Sequence, residues 1–271
     1  MLDAAVQFSA LAAALAVMGA AWVASVAMRD AGVADIAWGL SFVAVAWVTL
    51  AIGNGDFERS LLIAILVTAW GVRLATYIAA RRDGEDHRYA AMREKHDNFA
   101  ARSLWSIFGT QALIAWVISL PIQVAATDPT PGSLGALALA GLAIGAFGIV
   151  FEALADAQLR AFSKNSDNKG KVMDRGLWRY SRHPNYFGEV CVWWGIFLIA
   201  LETGSGWWTA IGPLVLTVLL LRVSGVALTE KTISSRRPGY ELYIKQTSAF
   251  IPLPPKPRRA PEGDAKQKIQ T

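Results

Sequence analysis

Seven apolar runs divide the chain, at roughly 5–28, 32–53, 60–80, 104–126, 133–155, 185–203 and 207–229. Each is near the length of about 20 residues that an α-helix needs to cross a bilayer. The connections alternate. "TDPTPG" and "ETGSG" are short and carry no basic residue, whereas the loops 81–103 and 156–184 are long and charged. The pattern predicts an all-α, polytopic membrane protein: a bundle of seven transmembrane helices spanning residues 1–251. The first run, "AAVQFSALAAALAVMGAAWVASVAM", lacks a basic lead-in and a cleavage site, so it reads as a helix and not a signal peptide. The fifth, "LGALALAGLAIGAFGIVFEAL", is rich in small residues, as helices in close-packed membrane bundles are.

Composition supports this reading. The 271 residues are 54% hydrophobic and 17% charged, against about 25% charged in soluble domains. Eleven tryptophans fit a bilayer interface, where that residue concentrates. The one cysteine, Cys191, excludes an internal disulfide, and no Cys/His spacing suits a metal. The net charge of +5 needs no nucleic acid, because its placement explains it. Arg81, Arg82, Arg88, Arg93, Lys95 and Arg102 share the first long loop, seven more cations share the second, and nine follow residue 229. With seven spans, every strongly basic loop falls in the cytosol, the N-terminus lies outside and the C-terminus inside, as in a bacterial inner membrane. The end, 252–271, is Pro- and charge-rich, and is expected to be a disordered cytosolic tail.

Ionisable groups in membrane helices cost about 2.5–3.5 kcal/mol each and mark function by default. Asp35 begins the second run, Arg73 nears the end of the third, and Glu152 and Asp156 close the fifth. Asn185 and Glu189 open the sixth, and Arg222 and Glu230 close the seventh. All fall in the half of the bundle assigned to the cytosol. Snorkelling and structural ion pairs account for any one of them; their joint clustering predicts a polar cavity open to the cytosol. Glu152 and Asp156 are four apart, so one helical face presents both, and Asn185 and Glu189 repeat that spacing. No nucleophile elbow, zinc-type histidine pair or Walker loop points to a hydrolase.

The stretch "RGLWRYSRHPNYFGE" carries the most chemistry. Pro184 suits the first turn of a helix. The helix start offers free N–H groups and partial positive charge, with Arg179, Arg182 and His183 just before it, an arrangement suited to phosphate. Tyr180 and Tyr186 add hydroxyl or stacking contacts, and Asn185 and Glu189 suit an amide or a ribose. The competing reading is a basic loop gripping lipid headgroups. A phosphate-bearing cofactor arriving from the cytosol satisfies the whole set.

The blocks "ADIAWGL", "WGVRLATYIAARRDGEDHRY", "FEALADAQLRAF", "GLWRYSRHPNYFGEVCVWWG" and "RRPGYELYIKQTSAFIP" occur in order from Ala34 to Pro252. In these the chain resembles the steroid 5-alpha-reductase superfamily, in its bacterial branch of reductase-like membrane proteins, the DUF1295 family. The resemblance implies NADPH-dependent reduction of a conjugated C=C bond in a lipophilic enone, such as a 3-oxo-steroid. It implies cofactor contacts from Glu152, Asp156, Arg182, His183, Asn185, Glu189, Arg236, Tyr240 and Tyr243, in a half of the chain running from about 134 to 251. Arg88 and Tyr89 would close over the adenosine phosphates. Asp35 matches the family's acid, where the steroid-reducing members use a glutamate. Its carbonyl-polarising tyrosine is matched by Tyr77 or, by spacing to Arg73, replaced by Trp70. The "RHPNYFGE" block alone is also similar to isoprenylcysteine carboxyl methyltransferases; S-adenosylmethionine has no phosphate to occupy these arginines, which counts against that alternative. A lipid-binding scaffold without activity needs no polar cluster. Neither substrate identity nor oligomeric state is legible.

The topology predicts that reporters fused after Pro131 and after Ala260 read opposite sides of the membrane. The same side for both would overturn it.

Overall fold

The computed structural model describes residues 3–82, 84–223, 225–233 and 237–257. Every regular element among them is helical, with one isolated backbone bridge between Ser181 and Ser248. The first three helices are α1 (Ala4–Met28), α2 (Val33–Ile52) and α3 (Phe57–Arg81). Then come α4 (His87–Glu94), α5 (Phe99–Ser103), α6 (Thr110–Ile118), α7 (Leu120–Ala125) and the long α8 (Ala136–Lys164). The last are α9 (Pro184–Leu201), α10 (Ile211–Val218), α11 (Val226–Ile233) and α12 (Tyr240–Gln246). Among the described residues, six helices are long and apolar enough to cross a membrane: α1, α2, α3, α8, α9 and the run Gly206–Glu230. The chain is an integral, multi-pass membrane protein.

The fourth expected span, 104–126, differs. It is helical but divided: a π turn at Leu104–Gly109 follows α5, and Ser119 separates α6 from α7. Pro121, in the first turn of α7, has no N–H for the carbonyl four residues back, and its ring crowds that carbonyl. The buried Gln123 side chain spans the break, donating to Trp116 O at 2.9 Å and Ser119 Oγ at 2.7 Å. No piece by itself has the length of a span, so the fourth expected span is found as a divided helical run.

The chain divides into two units, 1–153 with 188–219 and 154–187 with 220–271. In the first, glycines set how closely helices meet. A Cβ on Gly39 of α2 would stand 2.7 Å from Gly71 O of α3. On α8 the buried positions Ala138, Gly141, Gly145, Gly148 and Glu152 recur every three or four residues, one stripe of a helix. A Cβ on Gly141 would meet Gly195 O of α9 at 2.5 Å, and one on Gly148 would meet Gly188 O at 2.6 Å. Close backbone approach of this kind replaces the hydrophobic drive that lipid removes. The opposite face of α8 exposes Leu139, Phe147 and Val150, an apolar surface that suits lipid and not water. Phe42, Trp70 and Trp193 fill the core, with Phe42–Trp193 and Trp70–Trp193 ring centroids 4.5 and 5.4 Å apart.

In the second unit the C-terminal segment lies along residues 178–183. Arg182 N donates to Ser248 O at 2.8 Å, Ser181 Oγ to Phe250 O at 2.7 Å, and Leu253 N to Tyr180 O at 3.0 Å. Of the expected disordered tail, 252–257 has no regular secondary structure but is tied by this bond and by Lys256 N to Gln246 O at 2.8 Å. Residues 258–271 lie outside the described residues.

Gly148→Leu should drive α8 and α9 apart and cost about 1–3 kcal/mol, the usual range for overpacking. The matching control is Gly19→Leu, where nothing lies within 4 Å of the added Cβ. Thermal unfolding in detergent should show a lower midpoint for the first variant only; equal midpoints would remove the glycine contact from the account.

Candidate functional site

Two polar clusters of the first unit contain residues expected at a site. At the end of the glycine stripe, Glu152 is 2% exposed. Its Oε2 accepts the Trp70 indole N–H at 3.0 Å, and its Oε1 pairs with Arg73. Trp70 and Arg73 are three apart on α3 and so share a face. An unpaired carboxylate here would be far too costly; α3 supplies both a cation and a neutral donor.

The second cluster centres on Asp35, in the first turn of α2. Tyr89 Oη donates to Asp35 Oδ1 at 2.7 Å, and Arg88 Nη2 meets Oδ2 at 3.1 Å. Both come from α4, a short helix inside the basic loop. Asp86 caps it, accepting from Arg88 N at 2.9 Å while also binding the Arg88 Nε at 2.9 Å. The preceding turn is tied down as well. Arg82 pairs with Asp30, and Glu85 accepts from Ala31 N at 2.8 Å and from Arg93 Nη2 at 2.7 Å. The Arg93 hydrogen bond holds Glu85 below its ordinary range. Burial opposes ionisation of Asp86, but its Arg88 bonds prevail and lower it. Burial, and then the Asp35 carboxylate, hold the Tyr89 phenol well above its usual range, so this hydroxyl keeps its proton at neutral pH.

The donors expected for Asp35 are engaged elsewhere. The Trp70 N–H goes to Glu152, and Tyr77 lies under the Arg81 guanidinium, 5.2 Å from its centroid. The hydroxyl on Asp35 is that of Tyr89, a residue the sequence resemblance gives to the cofactor. A signal for α4 existed: "EDHRY" places a capping aspartate two residues before an arginine. Nothing in helical spacing links it to Asp35.

In the second unit, Asn185 Nδ2 donates to Asp156 Oδ1 at 3.3 Å. Flipping that amide would set oxygen against carboxylate, so its orientation is fixed. Asn185 Oδ1 is buried and has no hydrogen-bond partner among the described residues. Arg182, expected at a phosphate, is turned onto the protein. Its Nε and Nη2 hold Glu230 at 2.7 and 3.1 Å, and Nη1 donates to the Ile244 and Thr247 carbonyls. His183 Nε2 lies 3.2 Å from Glu230 Oε1, and its ring stacks on Tyr186 with centroids 5.3 Å apart. Tyr243 donates to Trp178 O. Burial, then the Glu230 charge, push Tyr240 up to about 12, and burial raises Tyr243 further. Of the other expected site residues, Glu189 is buried in the first unit, and Arg179 is exposed in the second. Arg236 lies outside the described residues.

These features define a class: a helical membrane protein whose apolar spans carry buried, paired carboxylates and a structured basic loop. The chain belongs to the family described as "Protein of unknown function (DUF1295)", which matches residues 21–247 and is the steroid 5-alpha-reductase-like family. It is similar to an uncharacterized protein of Schizosaccharomyces pombe, 26% identical over 262 residues that cover 85% of this chain and 75% of that protein. No solved structure matches.

Arg182→Ala should remove the Glu230 ion pair and both carbonyl contacts, and so release the C-terminal segment. Limited proteolysis should then cut between 237 and 257, where wild type resists. An unchanged digestion pattern would show that the ion pair does not hold the segment.

Proposed function

We propose that this protein is a membrane-embedded, NADPH-dependent reductase of a conjugated C=C bond in a lipophilic enone of the 3-oxo-steroid type. Membership of a reductase-like membrane family supports the class. The observation that carries the chemistry is the Tyr89 hydroxyl, kept protonated and 2.7 Å from Asp35.

In the second unit, the Asp156–Asn185 pair suits the cofactor. The orphaned Asn185 Oδ1 is an acceptor awaiting a donor, and a carboxamide N–H or ribose hydroxyl supplies one. Bound NADPH supplies the hydride for the β-carbon of the enone. In the first unit, the Tyr89 hydroxyl would turn from Asp35 to the substrate's carbonyl oxygen as negative charge develops there, and a proton from solvent would then complete the reduction at the α-carbon. Arg88 stays on Asp35 and compensates the carboxylate that has given up a hydrogen bond. The substrate arrives through lipid, against helices whose outer faces are apolar. The same reading puts the N-terminus outside and the C-terminus in the cytosol of a bacterial inner membrane.

The test is NADPH oxidation by detergent-purified protein given a 3-oxo-Δ4-steroid. Wild type should reduce it. Tyr89→Phe should lose about 100-fold or more in kcat, as removal of one such donor does, with NADPH affinity kept. Full turnover in Tyr89→Phe would take the donor role from this hydroxyl; no turnover by wild type with any lipophilic enone would refute the reductase reading.

A further inference from the structure

The second unit contains a cavity of about 660 Å³ that borders the Arg182 cluster at Tyr243 and Thr247. Lys171, Arg175, Arg179 and Lys256 line it, against one carboxylate, Asp174. No ion pair among the described residues reaches any of these four cations. Arg73, Arg82, Arg88, Arg93 and Arg182, by contrast, each hold a carboxylate. All four are exposed, and four cations lining one hollow raise the local potential in favour of an anion.

The walls are fixed by hydrogen bonds to backbone carbonyls. Trp178 N donates to Arg175 O at 3.1 Å, Arg237 Nη1 to Lys171 O at 2.8 Å, and Lys256 N to Gln246 O at 2.8 Å. Gly176 makes the turn between Arg175 and Trp178. Its φ of +57° disfavours a side chain, and an added Cβ would stand 2.4 Å from Gln158 Oε1. Phe162 and Leu242 give the cavity an apolar wall.

We propose that this cavity binds a phosphate ester: the four cations take the phosphate, and the Phe162–Leu242 wall takes its organic part. Two sources share that chemistry, a soluble phosphate ester and an anionic lipid headgroup. Pyrophosphate binding is read without enone or turnover, so its failure and the failure of the reductase reading are distinguishable.

The first probe is inorganic pyrophosphate, titrated by calorimetry into the full-length protein in neutral detergent. Wild type should bind it, and Arg175→Gln combined with Arg179→Gln should weaken it about tenfold or more. Both side chains are exposed, so the unfolding midpoint should not move. Lys245→Gln, exposed on α12 and outside the cavity, should bind as wild type does. Absence of binding, equal affinity in the double variant, or an equal loss in Lys245→Gln would each overturn the site. Competition then separates the sources. Displacement of pyrophosphate by NADPH assigns a soluble ester. Displacement by phosphatidylglycerol vesicles but not by phosphatidylcholine assigns a headgroup. Displacement by neither leaves a site for inorganic anions alone and contradicts the ester.

Discussion

A carboxylate surrounded by apolar helices is stable only where cations and donors reach it, and Glu152 shows what that requires. The group sits at the end of a stripe of Ala138, Gly141, Gly145 and Gly148, small enough for α8 to press against α9. With the helices that close, Glu152 is met by directed partners that include the Trp70 indole and the Arg73 guanidinium, one turn apart on α3. Larger residues in the stripe would widen the gap and remove the enclosure that makes the pairing necessary. Packing and electrostatics therefore depend on each other here, and the aromatic group of Phe42, Trp70 and Trp193 fills the remaining volume.

The same rule shapes the basic segments. Part of their charge is structural. Arg82, Arg88 and Arg93 fasten α4 to the turn between α1 and α2, and Arg182 anchors the C-terminal segment through Glu230 and two carbonyls. Charge count alone thus overstates how much of the surface is free to meet a ligand. The residues with chemistry to spare are those the protein leaves unfinished: the Asn185 oxygen, and the cations around the cavity of the second unit.

The helices themselves were largely legible. Apolar runs beginning near 5, 32 and 60 correspond to α1, α2 and α3, because lipid-facing and core-facing positions are both apolar and the run length approximates the helix. The break at Ser119 was the exception: Pro121 was visible, but hydropathy is blind to a divided backbone. Pairings were less legible. Spacing identifies residues on one helix face, which is how Glu152 and Asp156 were singled out. It does not say which helix stands opposite, so Tyr89 with Asp35, 54 residues apart, and Arg182 with Glu230, 48 apart, emerge only in three dimensions. Arg182 read as a phosphate ligand from its place before a helix start; its side chain is drawn instead to the carboxylate and carbonyls beside it.

The central claim is that the polar groups buried in these spans serve a dinucleotide and not a methyl donor. The most direct measurement is equilibrium binding of NADPH and of S-adenosylmethionine to detergent-purified protein, wild type and Asn185→Ala. The account predicts saturable NADPH binding, weakened about tenfold when the Asn185 oxygen is removed, and no binding of S-adenosylmethionine. Saturable binding of S-adenosylmethionine with none of NADPH would contradict it.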